Sequence, residues 1–158
     1  VKAAEEVDER FHARFSAQSK IYIYRVQNSV SSDPFTRHYA WQIPVRLDVE
    51  TMQSAVQTIV GTHDFSAFRA AGSAPVNPVR TIIAADCWRE DEIVTFYFWG
   101  NGFLYHMVRN LVGTLVEVGL GRNLPADFAA ILAGKDRSRA GATAPPQGLF
   151  LKQVLYSQ

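Results

Sequence analysis

The stretch Glu92–Gly119, EIVTFYFWGNGFLYHMVRNLVGTLVEVG, decides how this chain is read. Glu92–Trp99 is rich in β-branched and aromatic residues and reads as a strand. Val94, Phe96 and Phe98 alternate with Ile93, Thr95, Tyr97 and Trp99, so both faces are apolar. Such a strand is predicted to lie centrally in a sheet, covered on both sides. Gly100-Asn101-Gly102 punctuates, and Phe103 to about Val118 then reads as a helix that is apolar on nearly every face, ended by Gly119 and Gly121. Arg109 sits in the middle of that expected helix, with Glu117 as the only other charge. An isolated buried guanidinium is prohibitively costly, so Arg109 is expected to meet a carboxylate, a phosphate or a cluster of carbonyls. A structural salt bridge and a functional contact both satisfy that demand.

Upstream, Val79–Trp88 is a second strand, joined to the first by a tight turn at Arg89–Asp91. Lys20–Asn28 is a third, with Tyr22, Tyr24 and Val26 on one face and Ile21 and Ile23 on the other. Ser31–Pro34 breaks it, and His38–Val45 is compatible with an extended segment. Asp48 is a candidate N-cap for a helix carrying Met52, Ala55, Val56, Ile59 and Val60 at helical spacing, with Gly61 as its stop. His63–Ala70, HDFSAFRA, reads as a short helix capped by Asp64, and Ala71–Pro78 as a surface loop. Downstream, Pro125 fits the first turn of a helix whose Phe128, Ile131 and Leu132 face inward. Gly134–Pro146 reads as a loop, and Leu149–Tyr156 as a closing strand. Hairpins mixed with helices point to an α+β fold with a mostly antiparallel mixed sheet flanked by helices, and no linker divides residues 1–158.

Composition bounds the function. The 158 residues are about one domain's worth, and 47% hydrophobic residues suffice for a core. Ten Phe, six Tyr and three Trp serve a core, and they also suit base stacking. A net charge of +1 argues against a strongly basic nucleic-acid binder, but 12 of the 16 basic residues are Arg. Guanidinium forks suit phosphates and carboxylates, although genome bias explains the count equally well. Cys87 stands alone, which excludes an internal disulfide and fits a reducing cytoplasm. Scattered His residues show no zinc spacing. Val1–Arg10 is charged and reads as no secretory signal, no apolar run is long enough for a membrane span, and the initial Val hints at a fragment.

Five blocks, in order, carry a family resemblance: FHARFSA (Phe11–Ala17), KIYIY (Lys20–Tyr24), HDFSAFRA (His63–Ala70), GFLYHMVRNLVGTLVEVG (Gly102–Gly119) and AGATAPPQGLFL (Ala140–Leu151). Together they span almost the whole chain and resemble the C-terminal half of the TruA-type tRNA pseudouridine synthases. The resemblance implies a pseudouridine-synthase-like catalytic core. It also implies isomerisation of uridine to pseudouridine at positions 38 to 40 of the tRNA anticodon stem-loop, without metal or organic cofactor. Such enzymes are homodimers with a basic cleft for tRNA. Their catalytic Asp lies in a Gly-Arg-Thr-Asp-Ala-Gly motif of the N-terminal half, and none of the eight Asp residues here has that setting.

Carried over residue by residue, the resemblance makes Arg109 the cation that pairs the absent catalytic Asp. It makes Tyr22 the aromatic that stacks on the target uracil, and Leu149 a contact of the flipped base, in preference to Leu151. Flipping is required of any enzyme that works on a base within an RNA helix. Tyr24 reads as a core residue. Arg14, Lys20 and Arg25 are the leading phosphate candidates, with Arg10, Arg37 and Arg69 behind them. His106 is read as a packed or hydrogen-bonded histidine. Arg10, Ile23 and Phe150 depart from the family pattern, where an acid, an Arg and a Tyr are common. The competing reading is a module that holds structured RNA without chemistry, because the Asp is missing. A metal-dependent hydrolase is nearly excluded by the scattered ligands.

Overall fold

The computed structural model describes residues 4–70, 72 and 76–156; half of the loop expected over Ala71–Pro78, and the start of Val1–Arg10, lie outside them. Six strands form one mixed sheet: β1 (Ala17–Gln27), β2 (Trp41–Gln42), β3 (Gly61–Asp64), β4 (Val79–Glu90), β5 (Ile93–Gly100) and β6 (Leu149–Tyr156). Three helices accompany it, α1 (Val49–Gln57), α2 (Met107–Gly119) and α3 (Pro125–Gly134). The order across the sheet is β2-β1-β5-β4-β3, with β6 on the same edge of β1 as β2. All pairings are antiparallel except β1 with β2. The α+β expectation holds.

β5 is central, as its two apolar faces suggested, and pairs with β1 from Lys20↔Gly100 to Gln27↔Ile93. Only one of its faces is covered by helices. Val94, Phe96 and Phe98 join Tyr24, Val26, Ile82, Ala85 and Cys87 against Met52, Val56, Leu111 and Leu115 of α1 and α2. On the other face, Ile23, Tyr97, Trp99 and Phe150 stay half-exposed. The expected double cover is corrected: one apolar face finds its cover within these residues, and the other does not.

Local chemistry accounts for most boundaries. Asp48 accepts the Thr51 amide at 3.0 Å and caps α1 as expected. The helix ends at Gln57, before the expected Gly61 stop; Val60 is exposed, and Gly61 at φ 108 opens β3 instead. HDFSAFRA is the end of β3 followed by a 3-10 turn at Ser66–Phe68, where Asp64 Oδ1 accepts from the Ser66 amide and hydroxyl. Of His38–Val45 only Trp41–Gln42 pairs in the sheet. The β4–β5 turn is shorter than expected, with Asp91 at φ 51. Pro125 begins α3, and Asp127 Oδ2 accepts the Leu124 amide at 2.8 Å.

Replacing Asp48 by Ala removes the cap from a short helix. Urea titration is expected to give a midpoint shift equivalent to about 1 kcal/mol of destabilisation, with the slope unchanged.

Candidate active site

Residues Phe103–His106 are not helical, which corrects the expected helix boundary. From an irregular turn Leu104 is buried and Phe103 packs partly buried against the core, so their apolarity is satisfied without helix. His106 takes the left-handed conformation, φ 58 and ψ 8, and α2 starts at Met107. Arg109 therefore stands in the first turn of α2, not mid-helix, and is only partly buried. Its Nε donates to the Ala144 carbonyl at 2.6 Å, and its Nη1 lies 3.2 Å from His106 Nε2. None of the three ion pairs among the described residues, Arg10–Asp8, Arg122–Glu117 and Lys135–Asp64, includes it. The demand for a buried counter-ion is thus relaxed by exposure and a carbonyl.

The Ala144 carbonyl is held in place by α2 itself. The Ala144 amide donates to the Arg109 carbonyl at 3.1 Å. One turn on, a Cβ at Gly113 would overlap the Ala142 carbonyl oxygen, and one at Gly141 would come within 2.9 Å of the Gly113 carbonyl oxygen. Two glycines therefore let a loop backbone lie directly on a helix. Fully buried Asn110 and Thr114 tie it down. Asn110 Oδ1 accepts from Thr143 Oγ1 at 2.6 Å and from Arg137 Nη2 at 3.2 Å, and Thr114 Oγ1 accepts the Gly141 amide at 2.9 Å. This network escaped the sequence reading, although two polar residues four apart in an apolar helix were its signal. Tyr24, fully buried as expected, donates its hydroxyl to the Pro145 carbonyl at 2.6 Å. Burial raises that phenol's pKa, so it stays a donor.

The loop so fixed closes a cleft of about 440 Å³ lined by Arg14, Tyr22, Phe103, His106, Arg109 and Leu149, among others. Tyr22 reaches it from β1, Arg109 from α2 and Leu149 from the start of β6, where Leu149 pairs with Tyr24. The Tyr22 ring stands edge-on to Phe103 with centroids 5.0 Å apart, and burial raises its phenol pKa. Leu151, 53% exposed, lies outside the cleft. Of the phosphate candidates only Arg14 lines it. Lys20 is half-buried further along β1, and Arg25 lies exposed on the opposite face with its guanidinium 5.2 Å from the Phe150 ring centroid. The Phe68–Ala70 segment docks on the turn before α2 through the Ala70 amide and the Tyr105 carbonyl at 3.1 Å, which brings Arg69 to this side. Arg10 pairs with Asp8 at 2.9 Å, and Arg37 is exposed beside His38. Among the described residues no carboxylate lines the cleft, and no three His, Cys, Asp or Glu converge as metal ligands.

A half-buried aromatic, a leucine and a partly free guanidinium around a cavity of this size suit a planar base beside an anion. Comparison with known proteins gives the family. The family model described as "tRNA pseudouridine synthase" matches residues 55–157. The chain belongs to the tRNA pseudouridine synthase family. It is 49% identical over 156 residues to tRNA pseudouridine synthase A of Lacticaseibacillus casei, covering 97% of this chain and 63% of that protein. The namesake of Acetivibrio thermocellus is 46% identical over 156 residues, 99% of this chain and 64% of its own length. That of Exiguobacterium sp. is 44% identical over the whole chain and 63% of its own length. This synthase-family chain therefore spans less than two thirds of the length of the curated relatives it matches.

Gly113→Ala forces the α2 backbone away from Ala142. It is expected to destabilise the chain by about 1–3 kcal/mol in denaturant titration, as overpacking does.

Proposed function

We propose that this chain is the base-holding, aspartate-positioning part of a synthase that converts uridine to pseudouridine in the tRNA anticodon stem-loop. The observation that carries this reading is the meeting of Tyr22, Arg109 and Leu149, from three separate elements, in one cleft that no carboxylate lines. Arg109 has a carbonyl and an imidazole as partners, and its remaining N–H groups can receive a carboxylate. The proposed source is the catalytic Asp of the remaining third of the relatives' length. The anticodon stem-loop as substrate rests on the sequence resemblance.

The reaction balances without a redox partner. The N1–C1′ bond breaks, the base turns, and a C5–C1′ bond forms; C5 loses its proton and N1 gains one. The chain's contribution is to hold the base between the Tyr22 ring and Leu149 while Arg109 keeps the aspartate ionised and aimed. Arg14 lines the cleft, which supports it as the phosphate contact in this reading. Cys87, buried with its thiol pushed up to about 12, stays a thiol, in keeping with a cytoplasmic protein. The half-exposed sheet face of Ile23, Tyr97, Trp99 and Phe150 supports a homodimer, since aromatic surface of this kind is enriched at subunit interfaces.

Release of tritium from C5-labelled uridine in tRNA tests the reading. The longer polypeptide is expected to turn over and the isolated 158 residues are not. Arg109→Met in the longer polypeptide should lower kcat by about 100-fold or more while tRNA affinity is largely kept. Tyr22→Leu should lower kcat more than Tyr24→Leu does, whereas Tyr24→Leu should lower Tm more. Intact turnover of Arg109→Met would sink the pairing. For the dimer, Trp99→Glu should shift sedimentation of the longer polypeptide from dimer to monomer. A wild-type monomer would mean that its own remaining segment covers the face.

A further inference from the structure

His106 has the least common backbone of any residue at the cleft. It is one of three non-glycine residues at positive φ among the described residues, and it sits at the joint between the irregular Phe103–Tyr105 turn and α2. Its backbone carbonyl accepts the Asn110 amide at 2.9 Å, so the residue already serves α2 as its first acceptor. No side-chain cap hydrogen bond forms there, so the imidazole is free for other contacts. The ring lies flat on Tyr105, with centroids 4.0 Å apart and planes 25° apart, and presents Nε2 to Arg109 Nη1 at 3.2 Å. A guanidinium has donors and no acceptors. A hydrogen bond here therefore requires Nε2 to accept, which places the proton on Nδ1 of a neutral ring.

We propose that His106 is a positioning residue for Arg109, holding the guanidinium at Nη1 while Ala144 holds it at Nε, as a neutral, Nδ1-protonated acceptor. Two fixed contacts, Nε to the Ala144 carbonyl and Nη1 to His106, restrain the guanidinium and leave the Nη2 donors to meet an anion. With Ala144 alone, the guanidinium could swing about its Nε contact. The left-handed backbone is what turns the ring back over the first turn of the helix it precedes.

The surroundings favour the acceptor state. The titratable and charged groups that share the cleft with His106 are Arg109 of α2, Arg14 of the N-terminal segment, Tyr22 of β1 and the neighbouring Tyr105. Two of these are cations and none is a carboxylate. Burial, and then the Arg109 charge, lower the imidazole pKa below its ordinary value. The sign follows: as pH falls through that lowered pKa the ring gains a proton, Nε2 becomes a donor, and the contact with Arg109 turns repulsive. The holding is therefore complete at neutral pH and lost on the acid side.

Two measurements test this, and only the second rests on the function proposed above. In the chain itself, nitrogen-15 NMR of the His106 ring should report the Nδ1–H tautomer. Its protonation midpoint should lie below that of an exposed histidine and should rise in Arg109→Met. An Nε2–H tautomer, or a midpoint indifferent to Arg109→Met, overturns the proposal. In the longer polypeptide, tritium release should separate two substitutions. His106→Asn accepts the left-handed backbone but cannot reach Arg109. It should lower kcat about tenfold with KM for tRNA unchanged, the scale seen when a group that orients a ligand is lost. His106→Gln can reach Nη1 with its carbonyl oxygen and does not titrate. It should restore most of kcat and remove the acid limb that the wild type shows at the NMR midpoint. Equal losses in both variants, or none in His106→Asn while Arg109→Met is inactive, overturn the proposal. Full turnover of Arg109→Met would instead overturn the role given to Arg109, leaving the NMR result to decide the contact.

Discussion

Everything at the cleft depends on the direct contact of a loop backbone with a helix. Gly113 of α2 and Gly141 of the loop remove the side chains that would otherwise separate the two backbones. The loop then lies close enough for the Ala144 amide to reach the Arg109 carbonyl, for its carbonyl to receive Arg109 Nε, and for Asn110 and Thr114 to bind it from within the helix. Buried polar groups are tolerated only when satisfied, and a network of this kind selects one arrangement of the loop over others. Tyr24 extends the same constraint to the sheet by donating to Pro145, and close contact of Gly148 with the Tyr24 ring continues it to the start of β6.

That chain of contacts explains why three residues far apart in sequence face one cavity. Tyr22 is placed by its register in β1, two residues before the Tyr24 that anchors the loop. Leu149 is placed because the loop ends where β6 must begin, opposite Tyr24. Arg109 is placed because α2 starts late, at the left-handed His106. A helix begun at Phe103 would have put Arg109 almost two turns inside it, and its guanidinium would have needed a buried counter-ion. The late start brings the guanidinium to the mouth of a cleft, where a carbonyl and an imidazole suffice.

Electrostatically, the cleft is lopsided. Among the described residues it holds Arg14 and Arg109 and no acidic side chain. A surface of this kind is cheap to maintain while it is partly solvated, and it attracts anions. In the proposed reading, one anion is a carboxylate from outside these residues and another is the RNA backbone. This accords with the chain's matching relatives over less than two thirds of their length.

The division between what was legible in sequence and what was not follows from the range of the forces involved. Alternation in β1 and β5, the Asp48 cap, the Pro125 start and the closing strand Leu149–Tyr156 are short-range properties, readable because side chains within a few residues decide them. The candidate residues Tyr22, Arg109 and Leu149 were named through resemblance of whole blocks, and that resemblance, not alternation, separated Tyr22 from the core residue Tyr24 on the same strand face. Tertiary structure alone decided the rest. Apolarity from Phe103 to Val118 did not say which residues were helical, because Phe103 and Leu104 reach the core from a turn. Two apolar faces of β5 did not say that only one would be covered by these residues. The loop's dependence on Gly113, Asn110 and Thr114, and the contact of His106 with Arg109, arise between backbones about thirty residues apart or from a single left-handed φ; the polar pair four apart in an apolar helix signalled a buried partner but not which segment it binds.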